Sequence, residues 1–171
     1  MFQKDQNLKK ALPFYLKTIY HDPMFLSAYY QIGSIYGQRG EHDQEFRYFK
    51  QMVDLRKKFH PDFLRFENGD VHYEFEEEYS LANYTMGMEF LKGGQTDQAY
   101  AYFQEAVKYN QGFGKAIYQM AVIDCQRKEL TPCNEKTQRL YELRFNDEAQ
   151  ELHNFLHSTG FYDQDSHSSY H

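Results

Sequence analysis

Two histidines in this sequence stand at a spacing that could bind a metal ion. His153 and His157 are four residues apart, which would place both imidazoles on one side of a helix and within reach of a single metal. A metal site needs further ligands, and no Cys, Asp or Glu completes a set with this pair. The pattern is more typical of a solvated helix surface, so we predict no metal site.

An acidic segment could supply paired carboxylates for acid–base catalysis or ligands for calcium. Its six carboxylates are Glu67, Asp70, Glu74, Glu76, Glu77 and Glu78. Acid–base catalysis requires carboxylates in differing environments, and a calcium loop alternates its ligands around an obligatory glycine. The solvated start of a helix explains the run better, because acidic side chains there complement the helix dipole. The same charge would favour a basic partner.

Nucleophilic chemistry finds little support in the sequence. Cys125 and Cys133 are its two cysteines, too few for a disulfide framework, and a cysteine that packs between helices is the more frequent case. The sequence contains no Gly-x-Ser-x-Gly elbow and no glycine-rich phosphate loop. We therefore expect no enzymatic activity, no cofactor and a reducing, cytoplasmic location.

Composition narrows the classes of partner. The 171 residues carry a net charge of -6, which argues against binding to a phosphate backbone, so we predict no nucleic-acid partner. No window of the sequence approaches the length and hydrophobicity of a membrane-spanning helix or a signal peptide. Aromatic residues make up 18% of the chain, a content that suits helices interlocking through bulky side chains.

Glycines and aromatic residues recur at one fixed interval. The position numbers of Gly87 and Ala121 differ by 34, whereas those of Gly33 and Gly87, like those of Phe49 and Phe103, differ by 54. Because 54 exceeds 34 by 20, a single insertion of that length accounts for both larger offsets. The sequence is thus built from repeats with a period of about 34 residues.

A repeat of this length, with a glycine and an aromatic residue in its first half and a small and an aromatic residue in its second, resembles the tetratricopeptide repeat (TPR). The resemblance implies an all-α fold: a right-handed α-solenoid of antiparallel helix pairs, with a C-terminal capping helix. It covers most of the chain up to Leu140 and fades in the last repeat.

The repeat divides the chain into seven predicted segments. These are a partial unit with its second helix (1–23), a TPR unit (24–59), an insertion or extended helix (60–79), a TPR unit (80–113), a degenerate unit (114–145), a capping helix (146–160) and a flexible tail (161–171). Phe2 is interpreted as the end of a first helix whose beginning is absent, with a turn at Gln6 and Asn7. Pro13 should kink the helix that follows.

Several local features accompany this division. Glu45 occupies a place where the family prefers alanine, which predicts looser or polar packing. The predicted helix caps are Asp43, Thr96 or Asp97, and Thr131. The insertion is interpreted as a short helix plus a loop, or as an elongated first helix of the next unit, and it could contact a ligand or shield the seam between repeats.

The resemblance implies that the first helix of each unit lines a concave wall. Tyr30, Tyr84 and Tyr118 occupy the same repeat position, so a tyrosine ladder would follow that wall and bind a peptide or helix of another protein. The predicted binding residues are Tyr30, Ser34, Gln38, Tyr84, Met88, Lys92, Tyr118, Gln119 and Val122. Packing of the tyrosines between helices is the alternative.

Other functions stay open on sequence grounds. A clamp for a C-terminal carboxylate is disfavoured, because Lys115 is the one suitable cation at the relevant places. The chain could instead be a scaffold or oligomerisation segment of a larger, possibly enzymatic protein that associates through an open N-terminal edge. A metal-dependent hydrolase is the third hypothesis.

Overall fold

The computed structural model describes residues 2–59 and 76–162, with side chains from residue 10 onward. These residues form eight helices and no strand. The helices are α1 (Phe2–His21), α2 (Leu26–Gln38), α3 (His42–Lys58), α4 (Glu76–Lys92), α5 (Thr96–Tyr109), α6 (Gly114–Gln126), α7 (Leu130–Glu142) and α8 (Asn146–Ser158). Most of the predicted insertion, residues 60–75, lies outside the described residues. Its last residues, 76–79, belong to α4.

Each helix pair is joined by the same tight turn. The residue that leaves the helix has a left-handed backbone at Gly40 (φ 74), Gly94 (φ 74) and Lys128 (φ 62). The next N–H then donates back across the turn, from Glu41 to Tyr36 O (3.0 Å), Gln95 to Phe90 O (2.9 Å) and Glu129 to Asp124 O (2.9 Å). This is the Schellman arrangement, which satisfies carbonyls at a helix end. It recurs at the same intervals as the glycines and aromatic residues of the sequence.

The predicted side-chain caps are wrong. The helices α3, α5 and α7 start one or two residues earlier than those caps require, and their N-cap residues make no side-chain cap bond. The N-cap residues are Glu41, Gln95 and Glu129. Each of them is also the residue whose N–H closes the preceding turn. The two-helix turn therefore fixes the helix start, and a capping side chain is not needed.

The chain forms two compact units, Met1–Glu89 and Phe90–His171. In the first unit, α2 packs against α1 and α3. Its core includes Leu26, Ile32, Met52 and Met86, all 0% exposed. On α2 the first four residues, 26–29, are all buried, and Ile32, Gly33 and Ile35 continue the buried side toward the end of the helix.

The first helix differs from the prediction. The structure shows no turn at Gln6 and Asn7, since α1 is one continuous helix from Phe2 to His21 that also runs through Pro13. The chain in this region has the backbone of a single long helix rather than the end of one helix followed by a second. A single helix needs no turn at this place, and Gln6 and Asn7 can both be accommodated in it.

In the second unit, α6 packs against α5, α7 and α8. Its core combines small and branched side chains, among them Ala121, Leu140, Ala149 and Leu156, all 0% exposed. The predicted capping helix α8 thus covers the α6–α7 pair. Beyond it, Phe161 and Tyr162 are helical and contact the core cluster, in contrast to the predicted tail.

One contact between paired helices changes its chemistry from repeat to repeat. In α2 and α3 a Cβ at Gly37 would collide with the Glu45 carboxylate, so the missing side chain makes room for the glutamate. Glu45 Oε2 also lies 2.9 Å from His42 Nδ1, so the glutamate makes a polar contact, as predicted. At the same repeat places, α6 and α7 carry a disulfide between Cys125 and Cys133, with a Cα–Cα distance of 5.3 Å. This bond was not predicted from the sequence, because the pairing of two cysteines eight residues apart is evident only once their helices lie side by side.

Candidate interaction surface

Tyr30 lies on α2 and is half-buried rather than freely exposed. Its ring stacks on that of Phe49 of α3, with centroids 5.6 Å apart and planes at 20°. Burial raises the pKa of the Tyr30 hydroxyl, a hydrogen bond with Ser34 lowers it, and the nearby Glu78 carboxylate raises it again. The ring therefore packs within the first unit, while its hydroxyl meets two polar side chains.

On α4 the predicted residues follow one another at intervals of four. Tyr84 and Met88 are half-buried and Lys92 is exposed at the helix end. Residues four apart lie on the same side of a helix, so the three form one stripe that grades from apolar to charged. Burial raises the pKa of the Tyr84 hydroxyl.

On α6 the predicted residues contact the core of the second unit. Tyr118 and Val122 both pack against that core, and Gln119 is half-buried. The Tyr118 hydroxyl donates to Glu151 Oε2 of α8 at 2.8 Å. Burial, the bond to Glu151 and the charge of Glu148 together raise the pKa of Tyr118 to about 12. The hydrogen bond between Tyr118 and Glu151 therefore links α6 to α8 at this surface.

The structure therefore brings Tyr30 together with Ser34, and Tyr118 together with Val122, while Gln38 is exposed at the end of α2. Sequence reasoning missed the acidic partners Glu78 and Glu151. A signal for Glu151 existed, because α6 and α8 both begin after a phenylalanine, Phe113 and Phe145. That shared start places α8 in register with a first helix.

A second polar cluster takes the place of an aromatic contact. Two helix pairs carry a stacked aromatic pair at one repeat position, Tyr36 on Tyr48 (5.7 Å) and Phe90 on Tyr102 (5.1 Å). In α6 and α7 the same places hold Asp124 and Lys136, whose Oδ2 and Nζ are 2.7 Å apart.

This ion pair is deeply placed. The Asp124 side chain is 1% exposed and that of Lys136 is 20% exposed. Tyr100 of α5 donates to Asp124 Oδ2 at 3.4 Å. Burial lowers the pKa of Lys136, but the bonds and charges of Asp124 and Tyr100 outweigh burial and leave that pKa raised. The lysine is therefore charged, and the cluster joins three helices through an ionic contact.

Tyr100 also makes a cation–π contact with Arg127. Arg127 lies with its guanidinium carbon 5.5 Å from the ring centroid and is paired with Asp97. The Asp97 side chain is 93% exposed, so this outer pair contributes little to stability. The stabilising part of the cluster is its buried centre.

The two histidines of α8, His153 and His157, make contacts within the second unit. His153 Nδ1 is 3.1 Å from the Tyr162 hydroxyl, which itself donates to Asn134 Oδ1 at 2.8 Å. The hydroxyl proton is used on Asn134, so Nδ1–H of His153 is the donor to Tyr162. Among the described residues, no group of three His, Cys, Asp or Glu side chains is arranged to bind a metal.

Other predictions concern the acidic segment and the membrane. Glu76, Glu77 and Glu78 occupy the first turn of α4, as expected for side chains that complement the helix dipole. The other three acidic residues of that segment lie outside the described residues. Across the described part of the chain, no helix has the length and hydrophobicity to cross a bilayer.

Comparison with known proteins agrees with this architecture. The family profile of the tetratricopeptide repeat matches residues 26–59 and 81–113, the ranges occupied by α2–α3 and by most of α4–α5. The resemblance to the tetratricopeptide repeat is thus confirmed over these two repeats, and the fold class, an all-α solenoid of helix pairs, is confirmed as well.

Solved structures of the same fold cover nearly the whole chain. YrrB, described as a TPR protein with an unusual peptide-binding site, aligns with a TM-score of 0.61 and 18% identity over 96% of this chain and 74% of its own. The MamA protein aligns with a TM-score of 0.64 and 16% identity over 95% of this chain and 79% of its own. A search of curated protein sequences found no significant match.

Proposed function

We propose that this protein is an interaction module that binds a peptide or helix of another protein through the exposed side of its first helices, α2, α4 and α6. One observation carries the proposal. The same repeat position of all three helices holds a half-buried tyrosine, whose ring is fixed by packing and whose hydroxyl lies among polar side chains at two of the three. YrrB, which shares the fold, is described as having a peptide-binding site.

The chemistry of the surface suits an extended or helical peptide. A fixed tyrosine ring offers a large contact area at a low entropic cost, and its oxygen can still accept a hydrogen bond from a peptide N–H. Met88 and Val122 add apolar contacts, while Gln38, Lys92 and Gln119 provide polar ones. Ser34 contributes by orienting the Tyr30 hydroxyl.

The packing of the rings dictates how the proposal is tested. Truncation to alanine would open the core, so the informative variants are Tyr30→Phe, Tyr84→Phe and Tyr118→Phe, which keep the ring and remove the hydroxyl. A second variant, Met88→Glu with Lys92→Glu, changes the stripe on α4. The matched control is Gln51→Glu with Lys58→Glu, at two exposed positions of α3.

Each protein is panned against a displayed peptide library, and the enriched peptides are then titrated by fluorescence anisotropy. Circular dichroism melts first establish that the variants fold like the wild type. The proposal predicts at least tenfold weaker binding for the α4 variant and unchanged binding for the α3 control. A library that yields no binder, or binders insensitive to the α4 variant, would contradict it.

We propose no enzymatic activity, since the family generally serves as a scaffold for interactions. That neither nucleic acid nor a membrane is a partner stays a prediction from the sequence, supported by the net charge of -6 and the lack of a long apolar segment. The predicted cytoplasmic location conflicts with the Cys125–Cys133 disulfide of the structure, because that compartment is reducing and would hold both residues as thiols. Alkylation of the protein in intact cells, followed by mass spectrometry, distinguishes thiols from the bonded form.

A further inference from the structure

Three residues on the outer face of α1 stand at repeat positions whose equivalents in other second helices contact a first helix. Ala11, Phe14 and Tyr15 stand at the same repeat positions as Glu45, Tyr48 and Phe49 of α3, and as Ala99, Tyr102 and Phe103 of α5. In those later helices the last member is almost fully buried, Phe49 at 2% and Phe103 at 0% exposed. On α1, by contrast, Phe14 is 65% exposed and Ala11 and Tyr15 are only half-buried. We call these three residues the α1 face.

The complete helix pairs show what covers such a face. The residue equivalent to Phe14 stacks on an aromatic ring of the first helix, as Tyr48 does on Tyr36 and Tyr102 on Phe90. The residue equivalent to Tyr15 lies against a glycine, because a Cβ on Gly33 would come within 2.6 Å of the Phe49 ring. The covering element is therefore a helix with a glycine followed three residues later by an aromatic ring.

The residue at the Ala11 position defines one more feature of that helix. Its equivalents contact the twelfth residue of the paired first helix. In α2 and α3, Gly37 leaves room for the large Glu45. In α6 and α7, Cys125 forms a disulfide with Cys133. By the same register Leu91 stands opposite Ala99. Because α1 carries an alanine here, its complement has a large apolar residue in that position. The sequence of α4, Gly87-x-x-Phe90-Leu91, has all three features.

We infer that the α1 face is a second interaction surface, which binds a helix of another protein with the pattern glycine-x-x-aromatic-leucine. A second copy of this chain is the less suitable occupant. Among the described helices, the first helices α2, α4 and α6 bury their own small residues Gly33, Gly87 and Ala121 in the core. The remaining one, α8, carries His153 and Leu156 at the corresponding places, which lack both the glycine and the aromatic ring.

The test uses a labelled, end-blocked peptide with the sequence of Ser80–Lys92, titrated with the full chain by fluorescence anisotropy. Binding should saturate with wild type and weaken at least tenfold with Phe14→Lys. The matched control is Tyr20→Lys, since Tyr20 is another exposed aromatic residue of α1, 80% exposed, outside the face. A peptide with Gly87→Leu and Phe90→Ala should not bind. Equal binding by Phe14→Lys and wild type overturns the inference.

Isolated peptides of this length are weakly helical, so a covalent version keeps the test decisive. The same sequence, followed by Gly-Gly, is fused ahead of Asn7 in place of residues 1–6, which reproduces the register of the complete repeats. The fusion should raise the urea midpoint, and the fusion that carries Phe90→Ala in the added helix should not. If neither peptide binding nor stabilisation is seen, the inference is wrong.

Size-exclusion chromatography with light scattering tests whether a second copy of the chain binds to the α1 face instead. The inference predicts a monomer at micromolar concentrations for wild type and Phe14→Lys alike. A concentration-dependent dimer that Phe14→Lys abolishes would assign the face to a second copy and overturn the commitment to a different partner.

Discussion

Replacing Asp124 and Lys136 with the aromatic pair that other repeats carry should leave the protein as stable as the wild type. Replacing only one of the two residues should destabilise it. The site is the one place in the described helix pairs where an ion pair stands in for stacked rings. The double variant Asp124→Phe with Lys136→Tyr copies Phe90 and Tyr102 onto the equivalent positions.

The structure sets the size of each effect. Lys136→Met leaves a carboxylate that is 1% exposed with the Tyr100 hydroxyl, 3.4 Å away, as a remaining donor. Breaking a buried pair on one side costs about 3–5 kcal/mol. The 20% exposure of Lys136 admits some water, so we expect about 3 kcal/mol. Asp124→Leu costs less, about 1–2 kcal/mol, because the lysine head group can reach solvent.

The double variant removes both charges at once and with them the desolvation penalty. Replacing a buried ion pair with well-packed apolar residues is often neutral or stabilising, by about 1–4 kcal/mol, and an aromatic pair adds about 0.5–1.5 kcal/mol. We expect a net change between zero and about 1 kcal/mol in favour of the variant, because the neighbouring Tyr100 ring must also be accommodated. A double-mutant cycle closed with the matching single variants, Asp124→Phe and Lys136→Tyr, should show a coupling of several kcal/mol.

Urea unfolding followed by circular dichroism measures these differences. With a slope of about 2 kcal/mol per molar urea, Lys136→Met should lower the midpoint by roughly 1.5 M. The matched control is Lys108→Met, whose lysine is 64% exposed and 3.6 Å from Glu105. That exposed pair should contribute less than about 0.5 kcal/mol. A shift below about 0.5 M for Lys136→Met, or a double variant less stable than that single variant, would refute the reasoning.

Three further predictions follow from other contacts. The tyrosine absorbance of wild type should include one group that titrates at a pKa of about 12; Glu151→Gln should lower the pKa of Tyr118, and an unchanged titration would exclude Glu151 as its cause. Because this pKa is raised on folding, its contribution to stability is complete below the unfolded pKa of about 10 and is lost as the pH rises toward 12. Reduction of the disulfide should cost about 2.5 kcal/mol, the loop entropy of a bond between cysteines eight residues apart, whereas a variant with both cysteines changed to alanine should melt alike with and without reductant. Gly114→Ala should destabilise by about 1–2 kcal/mol in urea unfolding, because the added Cβ meets the Phe145 ring, and Phe145→Leu in the same chain should recover most of the loss.

The periodic part of the fold follows from the sequence. The interval from Gly33 to Gly87 and on to Ala121 predicts three helix pairs, because each small residue marks the place where two helices approach closely. The left-handed turn at Gly40 and Gly94 is also readable, since glycine adopts positive φ without strain. Lys128 at the third turn is not, because nothing local favours a lysine there.

The tyrosine surface is only half predictable. The repeat assigns Tyr30, Tyr84 and Tyr118 to one side of the first helices, and their binding role stays a prediction. The degree of burial depends on neighbours far away in the chain, such as Phe49 behind Tyr30 and Glu151 beside Tyr118. A periodic pattern reports which face a residue occupies, and it contains no information on what lies opposite.

The helical repeat, its register and the position of most turns follow from residue types at fixed intervals along the chain, so they can be predicted without a structure. Which residues meet across two helices depends on the packing of those helices in three dimensions. Glu45 fits because Gly37 has no side chain, Cys125 and Cys133 pair because their helices superpose them, and Asp124 finds Lys136 where other units stack aromatic rings. Whether two such residues fit together depends on the volume and the charge of both side chains, and neither residue specifies this by itself.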